Sequence, residues 1–146
     1  MARRTNAGTV GGEFIPKNPH KYAGSYPIIY RSSWELAFMR KADGHPNILH
    51  WASESIKIPY YNPVTSKYTV YVPDFLIVYE DKNGKRHQEL IEIKPKSQTV
   101  LSEAKSKRDK LHLAVNAAKW KAAAAWCRKH NIFFRVITEE DIFSKK

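Results

Sequence analysis

Cysteine is almost absent from this chain of 146 residues: Cys127 stands alone. No internal disulfide is therefore available, and a reducing compartment fits. No second cysteine and no closely spaced histidine pair accompanies it, which argues against a structural zinc site. The six histidines carry no assigned role. No apolar run approaches the roughly 20 residues of a membrane span. The opening Met-Ala-Arg-Arg-Thr-Asn lacks the apolar middle of a secretory signal. Acids are scarce as well: 14 Asp and Glu face 25 Lys and Arg, for a net charge of +11.

Where that charge lies is informative. Arg3, Arg4, Lys17, Lys21 and Arg31 face only Glu13 before residue 35, and eight bases between Lys105 and His130 face only Asp109. These two segments hold the whole excess, which favours a polyanionic partner over a merely soluble surface. Neither has a large apolar face beside its charges, so a lipid surface fits less well. Length and composition predict one domain with a modest core. Residues 1–30, with scattered glycines and prolines, read as an extended basic arm, pinned where Phe14-Ile15-Pro16 and Tyr26–Tyr30 offer apolar surface. Residues 31–146 read as a single folded domain.

Within that domain Arg31–Asp43 reads as a helix, with Ser32 as N-cap, Glu35 completing a capping box and Trp34, Ala37 and Phe38 facing inward. Asn47–Tyr60 reads as extended, with Pro59 marking an edge or bend. Lys67–Val72 resumes as a strand and runs into Pro73-Asp74. A hairpin follows, Phe75–Tyr79 and Leu90–Ile93 flanking Asp81-Lys-Asn-Gly84. Helical character builds from Ser102, with Leu113, Ala117, Trp120, Ala124 and Cys127 on one stripe. Ile132–Ile137 reads as a largely buried strand, and Thr138 with Asp141 caps a short last helix.

The chemistry concentrates in the hairpin. With Ile91 and Ile93 turned inward, period two puts Glu92 and Lys94 on the opposite face with Leu90. Strand pairing would bring Asp74 beside Glu92. An acid inside an apolar strand costs several kcal/mol unless paired or metal-bound. Residues i and i+2 on a strand lie about 7 Å apart, a long reach for a Glu92–Lys94 salt bridge. Two carboxylates with an ammonium suit metal-assisted phosphodiester hydrolysis, in which a divalent ion neutralises charge and a lysine orients water. Glu54 reads as a surface strand acid, the four tryptophans mainly as core, and Cys127 as a small buried hydrophobe.

Pro73-Asp74 followed by Glu92-Ile93-Lys94 matches the pattern PD-(D/E)xK, and the chain resembles the nuclease superfamily of that name. The resemblance implies an α/β, restriction-endonuclease-like core ordered helix, three-stranded meander, helix, strand. It adds Glu35 to the catalytic set of Asp74, Glu92 and Lys94. The metal ligands become Asp74, Glu92 and the Ile93 carbonyl, with Mg²⁺ as cofactor and Mn²⁺ as substitute. Arg31, Lys96, Lys119 and Lys121 become contacts to double-stranded DNA.

Phe14-Ile-Pro-Lys-Asn18, Tyr30-Arg-Ser-Ser-Trp-Glu35, Trp51-Ala-Ser-Glu54 and Lys119-Trp-Lys-Ala-Ala123 are similar to segments of the head completion nucleases of contractile-tailed phages. That likeness implies a role in virion assembly, head or portal proteins as partners, and the host cytoplasm or the virion as location. Two other readings stay open: the endonuclease subunit of a heteromeric transposase, and a DNA-end-binding assembly protein that does not cut.

Overall fold

The computed structural model describes residues 3–4, 10–96 and 106–142. The strands are β1 (Arg3–Arg4), β2 (Val10–Glu13), β3 (Ile29–Tyr30), β4 (Ile48–Ser53), β5 (Ile58–Asn62), β6 (Lys67–Tyr71), β7 (Phe75–Glu80), β8 (Arg86–Ile93) and β9 (Phe133–Ile137). The helices are α1 (Ser33–Gly44), α2 (Lys107–Lys129) and α3 (Glu139–Ile142). A central sheet has the order β4-β7-β8-β9, with the first three strands antiparallel and β9 parallel to β8. None of the helices among the described residues is long and apolar enough to cross a membrane.

Both faces of this sheet are covered. On one side Phe38, Met39 and Ala42 of α1 pack with Trp51, Phe75, Ile77, Ile91 and Ile93. On the other, Ala123 and Cys127 of α2 pack with Leu90, Tyr60 and Tyr71. Leu90 and Glu92 thus share the α2 side of β8, while Ile91 and Ile93 face α1, as period two requires. Local chemistry closes the β7–β8 hairpin. Asp81 Oδ1 accepts from the N–H groups of Asn83 and Lys85, and Gly84 takes φ +77°, the left-handed conformation open to glycine.

The segment before α1 is held tightly. Phe14, Tyr22 and Ile28 lie in the α1-side core. The Ala23 N–H donates to Trp51 O at 2.8 Å. Buried Asp43 accepts from the N–H groups of Lys17 and Asn18 at 2.9 and 3.0 Å, and Lys21 Nζ donates to Asp43 O and His45 O. These bonds tie residues 17–21 to the C-terminal end of α1 and satisfy carbonyls left open there.

Four local expectations change. Lys67–Tyr71 does not enter the main sheet; it pairs with Ile58–Asn62 as a separate two-stranded ribbon between β4 and β7. The buried residues of α1 are Phe38, Met39, Ala42 and Asp43, with Trp34 only partly covered. On α2 the buried positions are Asn116, Ala123 and Cys127, while Ala117 is exposed. Alanine is small enough to sit on either side of a helix, so an alanine-rich stretch marks its inner face poorly. Finally, β9 is an edge strand with Phe133 65% exposed and only Ile137 buried. The expected helical start at residues 102–105 lies outside the described residues.

Candidate active site

Strand register gathers the acids. Ser53 pairs with Phe75, and Phe75 with Ile91. One step further along, Glu54, Asp74 and Glu92 fall in a row across three adjacent strands at the end of the sheet. Directly opposed strand residues share a face, which sets Asp74 beside Glu92; the Glu54 side chain instead pairs with Arg31. Asp74 Oδ2 accepts from the Ile93 N–H at 2.8 Å, and Asp74 O accepts from the Glu54 N–H at 2.9 Å. Glu54 holds φ +50°, the left-handed region a non-glycine residue enters at a cost of about 1 kcal/mol or more.

Glu92 is 6% exposed. Its Oε2 lies 3.5 Å from Lys94 Nζ, while its Oε1 is buried with no hydrogen-bond partner among the described residues. The pair forms despite the spacing along the strand, because Lys94 lies just past the end of β8 and its long side chain leans back. Burial pushes Glu92 above the usual carboxylate range, against the pull of Lys94. Asp74 is raised well above its ordinary value by burial, then by the Glu92 charge, with the Ile93 N–H opposing. Two close carboxylates that resist joint ionisation form a site a divalent cation would relieve. The unpartnered Glu92 Oε1 supplies an open ligand atom, so these residues fit such an ion. Among the described residues no three His, Cys, Asp or Glu side chains form a cation cage; backbone carbonyl, water or phosphate oxygens would complete the shell.

Glu35 sits in the first turn of α1, raised above its ordinary value by burial and within electrostatic reach of Glu54 and Glu92. Its Oε1 accepts from the Arg31 N–H at 3.0 Å and its own N–H donates to Ser32 Oγ at 3.1 Å. Ser32 thus caps the helix as expected, but the Glu35 carboxylate reaches the N–H one residue before the N-cap, not the Ser32 N–H of a capping box, and lies near the acids. Arg31 is ion-paired through Nη1 to Glu54 Oε2. Lys96 is tied to α3: its N–H donates to Glu139 and its Nζ pairs with Glu140 at 3.2 Å. Lys121 lies exposed on α2.

Lys119 reaches from α2 into the site. Its ammonium stands 5.5 Å from the Tyr71 ring centre and 5.9 Å from that of Tyr60. Burial, then the Lys94 charge, lowers its pKa, while Glu92 opposes the shift. The Tyr71 hydroxyl and the Trp120 indole N–H are buried without hydrogen-bond partners among the described residues. Burial and the Glu92 charge push the Tyr71 hydroxyl upward. Sequence reasoning took Glu54 for a surface strand acid and passed over Tyr71 and the polar end of Trp120. The signal for Glu54 was its position at the end of a strand antiparallel to β7, legible only once that pairing is known.

A family model described as TnsA-like endonuclease N terminal matches residues 45–139, a span holding Asp74, Glu92, Lys94 and Lys119. The head completion nuclease of Enterobacteria phage T4 is 37% identical over 142 residues, covering 90% of this chain and 92% of that protein.

Proposed function

Because this chain belongs to the TnsA-like endonuclease family, we propose that it is a Mg²⁺-dependent DNA endonuclease that processes DNA during phage head completion. Asp74 and Glu92 hold the ion, with the Ile93 carbonyl as a further ligand. Bound there, Mg²⁺ supplies Lewis-acid polarisation of the phosphoryl oxygen and makes water a better nucleophile; Mn²⁺ substitutes. Lys94 orients the attacking water and offsets charge that builds on the phosphate. Glu35 stands behind the carboxylates and adjusts their charge.

Lys119 and Lys121 take the backbone phosphates on the α2 side. Arg31 and Lys96 flank them, each exchanging an acidic partner for phosphate. Such contacts position the duplex without reading bases. Head or portal proteins are the partners, and the infected cell's cytoplasm is the place of action. The observation that carries the reading is the Asp74–Glu92 pair at the ends of neighbouring strands, with Glu92 Oε1 buried and unpartnered among the described residues and the Lys94 ammonium 3.5 Å from Oε2.

The identity to a head completion nuclease, spread over nearly the whole of both chains, favours this role over a transposase subunit. The test is cleavage of linear and supercoiled DNA. Parent protein with Mg²⁺ or Mn²⁺ should cut, and chelator should stop it. Asp74→Asn and Glu92→Gln should each lose at least about a hundredfold in rate, the scale seen when one electrostatic contact is removed from an active site. Retained DNA binding with no turnover in the parent would overturn the enzyme reading and leave a binding protein.

A further inference from the structure

The β5–β6 ribbon presents two unlike faces. Antiparallel register sets Ile58 opposite Tyr71 and Tyr60 opposite Thr69 on one side, and Pro59 opposite Val70 and Tyr61 opposite Tyr68 on the other. Ile58, Tyr60 and Tyr71 are buried in the α2-side core. The opposite face is open: Tyr68 is 80% exposed, Val70 51% and Tyr61 46%. Tyr61 and Tyr68 meet edge-on with centroids 5.1 Å apart, so the two rings brace each other in solvent. A ribbon of this kind needs packing on one face for stability, and that face is supplied. The outer face is left for a partner.

The chemistry of the segment selects that partner. Between Glu54 and Asp74 there is no acidic residue, while Lys57 and Lys67 are both exposed, Lys67 at the turn end of the ribbon opposite Asn62 and next to the hydroxyls of Thr65 and Ser66. A second copy of the chain would set lysine against lysine. A polyanion that offers apolar sugar surface between its phosphates meets both the charge and the rings. The ribbon also continues the cleavage pocket, since β6 ends at Tyr71, beside Glu92, and the chain reaches Asp74 three residues later. Five residues of strand extend about 17 Å, and a two-stranded ribbon is of a size the major groove admits.

We propose that the outer face of the β5–β6 ribbon, carrying Tyr61 and Tyr68, with Lys57 before β5 and Lys67 at the exposed turn end of β6, grips duplex DNA alongside the site of cleavage. This rests on the nuclease reading for the identity of the substrate, but its test does not depend on turnover. Fluorescence anisotropy with a blunt-ended duplex a few turns long, in chelator, reads binding by the full chain without cutting. Tyr61→Ser with Tyr68→Ser should weaken binding about tenfold or more, since two rings lose the apolar area they would bury against the sugars of the duplex. The slope of log K against log salt should stay unchanged, because no charge is removed. Lys57→Gln with Lys67→Gln should flatten that slope by about two.

If the tyrosine variant melts early, the lysine pair, which leaves the buried face intact, decides alone. Parent-like affinity in a folded tyrosine variant, or a parent-like salt slope in the lysine variant, would overturn the proposal and turn the face over to a protein partner. Asp74→Asn serves as the separate control: cleavage surviving in it would sink the nuclease reading while leaving the binding result standing.

Discussion

Replacing Asp74 by asparagine should make the metal-free protein more stable while it destroys the site. Asp74 and Glu92 are like charges in a poorly hydrated pocket, and each is raised above its ordinary range. Two unit charges about 5 Å apart at an effective dielectric near 20 repel by roughly 3 kcal/mol. Proton uptake by either carboxyl would relieve part of that. The amide keeps an oxygen for the Ile93 N–H, now bonded at 2.8 Å, so the one strong hydrogen bond survives the change.

We expect a gain of about 1–3 kcal/mol at pH 8 in chelator, or roughly 2–4 °C of Tm per kcal/mol for a domain this size. The sign follows from linkage. A carboxyl whose folded-state pKa is raised adds stability that is whole below its unfolded value, here 3.8, and lost as pH rises through the folded value. The advantage of the asparagine variant should therefore shrink as pH falls toward about 4. Divalent cation reverses the ranking: at a hundredfold excess over Kd it stabilises the parent by about 2.7 kcal/mol, and the variant far less. Thermal melts at pH 8 and pH 4.5, with chelator and with Mn²⁺, measure all of this. A variant less stable than the parent in chelator at pH 8, or equally stabilised at both pH values, would refute the like-charge account.

Asp43→Ala should cost about 2–4 kcal/mol in urea unfolding, because a buried carboxylate that accepts two backbone N–H bonds at 2.9 and 3.0 Å is lost and those donors are stranded. A cost below about 0.5 kcal/mol would mean residues 17–21 are held by packing alone. Lys119→Met should keep the fold, since the methylene stem still covers Tyr60 and Tyr71, yet lower the cleavage rate about tenfold or more as charge beside the acids is removed; parent-like turnover would place Lys119 outside the reaction. Cys127, 1% exposed and with its thiol pushed up to about 11 by burial, should resist a thiol reagent at pH 8 until denaturant is added, and rapid native-state labelling would contradict its packing under α2.

Period two along Leu90–Ile93 and the Asp81–Gly84 turn were enough to set the β7–β8 hairpin and to put Glu92 and Lys94 on a common side, because side-chain alternation is a property of the strand itself. The N-cap at Ser32 and the concentration of positive charge in the α2 segment are likewise local matters, readable from neighbours in the chain. Asp74 beside Glu92 needed only the register that the turn imposes. What lay beyond reach of the sequence was everything decided by pairing between distant segments.

Lys67–Tyr71 has the composition of a sheet strand, yet it pairs with Ile58–Asn62 instead of joining the main sheet, since burial of Ile58, Tyr60 and Tyr71 under α2 rewards that arrangement. Glu54 enters the row of acids only because β4 runs antiparallel to β7. Lys119 reaches the pocket because Trp120, Ala123 and Cys127 fix the rotation of α2, a choice its alanines leave open. Alternation and turn geometry act over a few residues and are written in the local sequence. The rotation of a helix and the partner of a strand minimise the free energy of the whole core, so they appear only when the core does.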